Sequence, residues 1–360
     1  MKVLTIVGAR PQFIKAAVVS RELRKEHNEV LVHTGQHYDY NMSDIFFEEL
    51  DIPNPDYNLG ISGGTHGKMT GDMIIAIEDI ILKEKPDAVL LYGDTNSTMA
   101  GAIAAVKLHI PVVHVEAGNR LGTLNNPEEV NRIITDHVSS LKLCCTESAK
   151  QFLGKEGIDE NSYVVGDPMY DAFKYYSAKV EDIVPEKLIS LDGNELNLPE
   201  SFYYMTCHRE ENAGNDAALG EILSAMESLD KKCVYPVHPR NKLRVIKTMK
   251  ENNFNNIITC NPVGYLMSIY LVNHCYKIVT DSGGLQREAF FAKKQCVTVF
   301  DYVVWPETMT DNRNQLAKAD KNDILKKLSA RQTINENDAF GDGRSAIKIV
   351  KAINENIKIG

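Results

Sequence analysis

The chain has 360 residues, 43% of them hydrophobic and 25% charged, with a formal net charge of −9. That length suggests two domains, and the acidic balance argues against a general nucleic-acid or anionic-membrane binder. Seven cysteines at 144, 145, 207, 233, 260, 275 and 296 form no C-x-x-C pair, so zinc is not expected and free thiols in a reducing compartment are.

In chain order, Val3–Val7 reads as a strand, not a secretory leader, and no apolar run is long enough to span a membrane. Pro11–Arg24 has helical spacing. Strands follow at Val30–Thr34, Ala88–Tyr92 and Pro111–Val115, with an Ala-rich helix at Thr98–Leu108. A helix at Glu128–Leu141 and a strand at Lys142–Thr146 come next. The pattern restarts near Ser201, with strands at Phe202–Thr206, Lys232–Val237, Ile257–Thr259, Lys277–Thr280 and Cys296–Val299. Helices read at Ala217–Leu229 and Arg240–Glu251. Continuous β-branched runs alternating with helices predict parallel sheets covered on both faces. The expected fold class is therefore α/β, with two doubly wound domains meeting at a cleft and a hinge near Gly166-Asp167-Pro168. Residues 180 to 199 read as acidic, irregular surface, and 343 to 357 as a terminal helix.

In open α/β sheets ligands gather at the carboxyl ends of strands. Asp281-Ser282-Gly283-Gly284 follows a strand and opens a helix. Such a turn offers unpaired N–H groups and the positive end of the helix dipole to a phosphate. Glu288, one turn in, is placed to reach a ribose hydroxyl. The first strand ends in Gly8-Ala9-Arg10-Pro11-Gln12-Phe13-Ile14-Lys15, which lacks G-x-G-x-x-G spacing and offers two cations, Arg10 and Lys15, unless these only cap a helix on the surface. Asp94 directly follows another strand, and the Thr95, Asn96 and Ser97 after it are equally good helix caps. Glu116 ends the next strand. Glu128 and Glu129 open a helix, where capping of the dipole is the simpler role for Glu129. Three carboxylates, Asp94, Glu116 and Glu128, suit acid–base work on a sugar. His208, beside Arg209, suits phosphate binding or protonation of a leaving oxygen. His238 is a weaker case, and His33, Gln36 and His37 form a polar loop.

Together these blocks resemble the non-hydrolysing UDP-N-acetylglucosamine 2-epimerase family. The blocks are Gly8–Lys15, Thr34-Gly35-Gln36-His37-Tyr38-Asp39, Gly93–Thr98, His114-Val115-Glu116-Ala117-Gly118, Pro127–Arg132, Cys207–Asn212 and Asp281–Gly284, in the family's order over roughly residues 1 to 320. The resemblance implies two Rossmann-like domains of the glycosyltransferase-B type, at 1–166 and 167–342, with the active site in the cleft between them. It implies a helix at 343–360 crossing back to the first domain, and a cytoplasmic homodimer that uses neither cofactor nor metal. It places Arg10, Lys15, Asp94, Glu116, Glu128, Arg132 and His208 around the reaction centre. It gives Ser282, Gly283, Gly284 and Glu288 the UDP diphosphate and ribose.

The activity implied is reversible C2 epimerisation of a UDP-2-acetamido sugar, UDP-GlcNAc to UDP-ManNAc, for surface polysaccharide synthesis. Elimination of UDP gives a 2-acetamidoglucal, to which UDP adds back. The alternatives are a 2-epimerase of UDP-2,3-diacetamido-2,3-dideoxyglucuronic acid and a hydrolysing UDP-GlcNAc 2-epimerase. The chain leaves the family pattern at Asn119, at Arg287 and along 300–307, whose Trp305-Pro306-Glu307 keeps only the Pro-Glu. Gln36 and His37 match positions that bind a second, activating UDP-sugar in some relatives.

Overall fold

The structure is a computed structural model that describes residues 1–36, 49–180, 187–303, 305–335 and 337–358. It divides into two compact units, Met1–Lys174 with Asn337–Gly360, and Tyr175–Glu336. The Gly166-Asp167-Pro168 break falls eight residues before that division, at the start of a helix, Pro168–Val180.

The sheet of unit 1 contains β1 (Lys2–Val7), β2 (Asn28–His33), β3 (Tyr57–Asn58), β4 (Ala88–Tyr92), β5 (Val112–Val115), β6 (Leu141–Cys144) and β7 (Ser162–Val164). Their spatial order is β3-β2-β1-β4-β5-β6-β7, and every pairing is parallel. Helices α1 (Arg10–Leu23), α2 (His66–Glu84), α3 (Asn96–Lys107), α4 (Pro127–Val138) and α5 (Glu147–Lys155) connect these strands. Strands β1, β2, β4, β5 and β6 are almost wholly buried because both sheet faces carry helices, which is why their sequences run apolar instead of alternating, whereas the edge strands β3 and β7 are partly exposed. Leu4, Ile6, Val89 and Leu91 pack in one cluster with Met73, Ile77, Ile80 and Ile81 of α2. The strand order reverses between β1 and β4, so their carboxyl ends open a crevice.

Helix α6 (Pro168–Val180) carries the chain out of unit 1. Unit 2 begins with an antiparallel hairpin of β8 (Leu188–Ile189) and β9 (Glu195–Leu196). This stretch is less irregular than the sequence suggests. Leu188 is buried and Ser190 bridges to Cys260. The main sheet holds β10 (Phe202–Thr206), β11 (Lys232–Pro236), β12 (Ile257–Cys260), β13 (Ile278–Thr280), β14 (Cys296–Val299) and β15 (Asn314–Ala317), in the order β12-β11-β10-β13-β14-β15. It is again parallel throughout, with its reversal between β10 and β13. Its helices are α7 (Glu210–Ala213), α8 (Asp216–Glu227), α9 (Lys242–Glu251), α10 (Tyr265–His274), α11 (Gly283–Phe291) and α12 (Lys321–Ser329). The last helix, α13 (Ser345–Asn356), returns to unit 1 and packs on α1. Two Rossmann-like α/β units, as expected from the alternation, are the result.

Candidate functional site

In unit 1 the crevice residues are held by side chains. Gln12, in the first turn of α1, accepts the N–H groups of Gly8 and Ala9 at 2.8 and 3.0 Å. Its amide donates to the Tyr92 carbonyl at 2.7 Å, joining the ends of β1 and β4. Gly8 must be glycine, because a Cβ there would strike the Thr34 and Ser97 hydroxyls. Lys15, one turn further along α1, is buried and forms an ion pair with buried Glu116. Glu116 sits at φ +73°, a conformation costly for a residue with a Cβ and held only by its surroundings. Gly118 (φ +88°) completes the bend, since a Cβ there would collide with the Ala149 carbonyl.

Asp94 lies half-buried at the β4 end, in an ion pair with Arg132 of α4. Arg132 also donates to Glu129 at 2.5 Å. Burial opposes the Arg132 charge, but Asp94 and Glu129 outweigh it and raise its pKa. The two first-turn glutamates differ sharply. Glu128 is exposed, whereas Glu129 is buried and accepts the Leu121 and Gly122 N–H groups at 2.8 and 2.9 Å. Glu129 therefore fixes a loop and does not simply face the helix dipole. Arg10 is half-buried at the start of α1. Ligand atoms of Glu116, Cys145 and Asp167 lie within 4.8 Å of one another. Lys15 already supplies the cation for Glu116 there, and Asp167 accepts the Met169 N–H at 2.9 Å.

In unit 2 the corresponding crevice is built on Asp281, 1% exposed. It accepts the N–H groups of His208 and Arg209, each at 2.9 Å, and its Oδ1 lies 2.9 Å from His208 Nδ1. Burial alone would raise the Asp281 carboxyl; the His208 and backbone contacts outweigh it and hold the pKa below the usual range. Arg209 donates to the Asp281 carbonyl at 2.9 Å and stacks on Phe300, 4.3 Å to the ring centre. The His208 and His238 rings stack at 6.5 Å. Ser282 caps α11, accepting the Leu285 N–H at 3.3 Å. Gly283 and Gly284 form the first turn, half-buried, with N–H groups that have no partner within the helix. Glu288 is buried at 5%. His37 lies outside the described residues, while Gln36 reaches Ser97 Oγ at 2.9 Å.

Unit 1 thus brings Lys15, Asp94, Glu116 and Arg132 to the ends of β1, β4 and β5, and unit 2 brings His208, Ser282, Gly283 and Gly284 to the ends of β10 and β13. The first set can move protons and balance charge; the second can receive a phosphorylated ligand. Sequence reasoning passed over Gln12 and Glu129 as site-building residues, although Glu129 and Arg132 stand three apart on one helical face.

A UDP-N-acetylglucosamine 2-epimerase family model matches residues 21–354. The chain is 46% identical to a UDP-N-acetylglucosamine 2-epimerase homolog of Methanococcus maripaludis, over 98% of this chain and 99% of that one. It is 44% identical to the UDP-2,3-diacetamido-2,3-dideoxy-D-glucuronate 2-epimerase of Pseudomonas aeruginosa, with the same coverage. The crystal structure of Methanocaldococcus jannaschii UDP-GlcNAc 2-epimerase, in complex with UDP-GlcNAc and UDP, superimposes with a TM-score of 0.86 at 38% identity, covering 99% of this chain and 100% of that one. The chain belongs to the UDP-N-acetylglucosamine 2-epimerase family.

Proposed function

We propose that this protein inverts C2 of a UDP-2-acetamido sugar, interconverting UDP-GlcNAc and UDP-ManNAc by elimination and re-addition of UDP. The reading is carried by the match of nearly the whole chain to relatives named for 2-epimerisation of UDP-sugars. The C2 hydrogen is next to no carbonyl, so the C1–O bond to UDP breaks as the C2 proton leaves. The products are 2-acetamidoglucal and UDP, and reversal with protonation on the other face completes inversion. Asp94, Glu116 and Glu128 are the acid–base candidates, since the step needs a base on one face and an acid on the other. Lys15, Arg10 and Arg132 set the charge around them. His208 and the Ser282-Gly283-Gly284 turn would take the diphosphate, where negative charge grows as C1–O breaks, with Glu288 serving the ribose. The reading includes a cytoplasmic homodimer that feeds surface polysaccharide synthesis.

The test is turnover of UDP-GlcNAc in D2O followed by NMR. Epimer carrying deuterium at C2 is expected; epimer without it would defeat the elimination route. UDP and free ManNAc released in equal amounts would identify a hydrolysing enzyme. The 44% identity to the diacetamido-glucuronate enzyme favours one second reading, in which the substrate is that uronate. The same assay with both sugars separates them.

A further inference from the structure

One face of α4 carries Glu129, Arg132 and Asp136, spaced three and four apart and all buried. Glu129 and Arg132 hold the 121–122 loop and Asp94. Asp136 reaches deeper. Its Oδ1 lies 2.7 Å from His114 Nδ1, and its Oδ2 accepts the Gly118 N–H at 3.0 Å and Arg120 Nη1 at 2.7 Å. The other nitrogen of His114, Nε2, lies 2.7 Å from the carbonyl oxygen of Gly93. His114 and Asp136 are both fully buried.

Burial would raise the Asp136 carboxyl, but His114 and Arg120 outweigh it and lower its pKa, so it accepts only. The Gly93 carbonyl also only accepts. Nε2 of His114 must therefore carry a hydrogen and donate it to the Gly93 carbonyl, while Nδ1 faces the Asp136 carboxylate. Gly93 stands at φ +63°, immediately before Asp94, and His114 stands two residues before Glu116. The pair thus ties together the two bends that carry the unit 1 carboxylates.

We propose that His114, oriented by Asp136, is a positioning residue whose Nε2–H fixes the Gly93 carbonyl and so sets the place of Asp94. It touches no substrate, and the inference rests on Asp94 taking part in the reaction proposed above. A side chain that merely fills a polar core would be indifferent to which of its two bonds is kept.

Two half-mimics separate these roles. In His114→Gln the amide N–H falls where Nε2 was and keeps the Gly93 bond. In His114→Asn it falls where Nδ1 was and keeps only Asp136. The assays are kcat and KM for the UDP-sugar, and amide hydrogen exchange of the segment 93–96. For His114→Asn, kcat falls about 100-fold with KM within about threefold, the loss expected of a misplaced group. Exchange at 93–96 then rises about tenfold. His114→Gln stays within about tenfold of the unmodified kcat.

Equal losses in the two variants, or an unchanged His114→Asn, overturn the proposal. Should His114→Asn not fold, Asp136→Asn decides. Its amide can donate to Nδ1 while Nε2–H stays on Gly93, so kcat stays within about tenfold, and a loss of about 100-fold in a folded protein overturns the proposal. If the unmodified protein turns over no UDP-sugar, the functional reading fails, and exchange at 93–96 still judges the positioning role.

Discussion

The guanidinium of Arg287 lies 4.1 Å from the ring centre of Trp305, and both side chains are 3% exposed. These are two of the positions at which the sequence leaves the family pattern, and in the structure they form one unit. Neighbouring Gln286 donates to Thr308 at 2.7 Å, and the Thr308 hydroxyl donates to the Trp305 carbonyl at 2.7 Å. The stack therefore fastens α11, whose first turn is the phosphate candidate, to the segment after β14.

A double-mutant cycle of Arg287→Met and Trp305→Leu measured by urea unfolding should return a coupling of about 1–2 kcal/mol, as expected for a desolvated cation on an indole. Additive effects would mean that the two departures are independent.

The buried Lys15–Glu116 pair carries its own signature. Removing only the ammonium leaves a buried carboxylate without its countercharge, costing about 3–5 kcal/mol. Lys15→Gln should therefore be less stable than the double variant Lys15→Gln/Glu116→Gln. Equal or reversed stabilities by chemical denaturation would show that the pair is not a charge pair in the folded protein. Glu116→Gln alone should lower kcat by about 100-fold or more while UDP affinity persists.

The sheets were legible because buried parallel strands need continuous apolar or β-branched runs: β4 is Ala-Val-Leu-Leu-Tyr and β13 is Ile-Val-Thr. The Ser282-Gly283-Gly284 turn was legible for a local reason, a strand end followed at once by a helix cap. Lys15 and Glu116 were each visible at a strand end, but their pairing spans 101 residues and no local pattern encodes it. Helix α2 went unread because its polar, glycine-bearing first turns mask the later spacing of Met73, Ile77, Ile80 and Ile81. The burial of Glu129 was decided by packing, since both first-turn glutamates serve a dipole equally well.

That contrast can be measured. Glu128 is exposed, so Glu128→Gln should change stability by less than about 0.5 kcal/mol, leaving any fall in kcat to chemistry. Glu129→Ala should cost about 2–4 kcal/mol, because two backbone N–H groups and Arg132 lose a charged acceptor. A stability loss from Glu128→Gln matching that of Glu129→Ala would contradict the placement of the two side chains.

Stability should also depend on pH through Asp281. The folded-state pKa of Asp281 is depressed by His208 and the backbone N–H groups of His208 and Arg209, against its burial. In the unfolded chain an aspartate titrates near its ordinary value of about 3.9. A depressed folded value means that the unfolded state takes up the proton first as pH falls. The stabilisation is therefore complete above about pH 4–5 and is lost as pH drops through the folded value. Asp281→Asn, which keeps the shape and removes the charge, should destabilise by about 1–3 kcal/mol at neutral pH. Urea titrations of both proteins from pH 7 to pH 3 should show the gap narrowing only at the acid end. A gap that stays constant or widens between pH 5 and pH 3 would mean that Asp281 is not held as a carboxylate, and the His208 ring would lose its anchor beside the Ser282-Gly283-Gly284 turn.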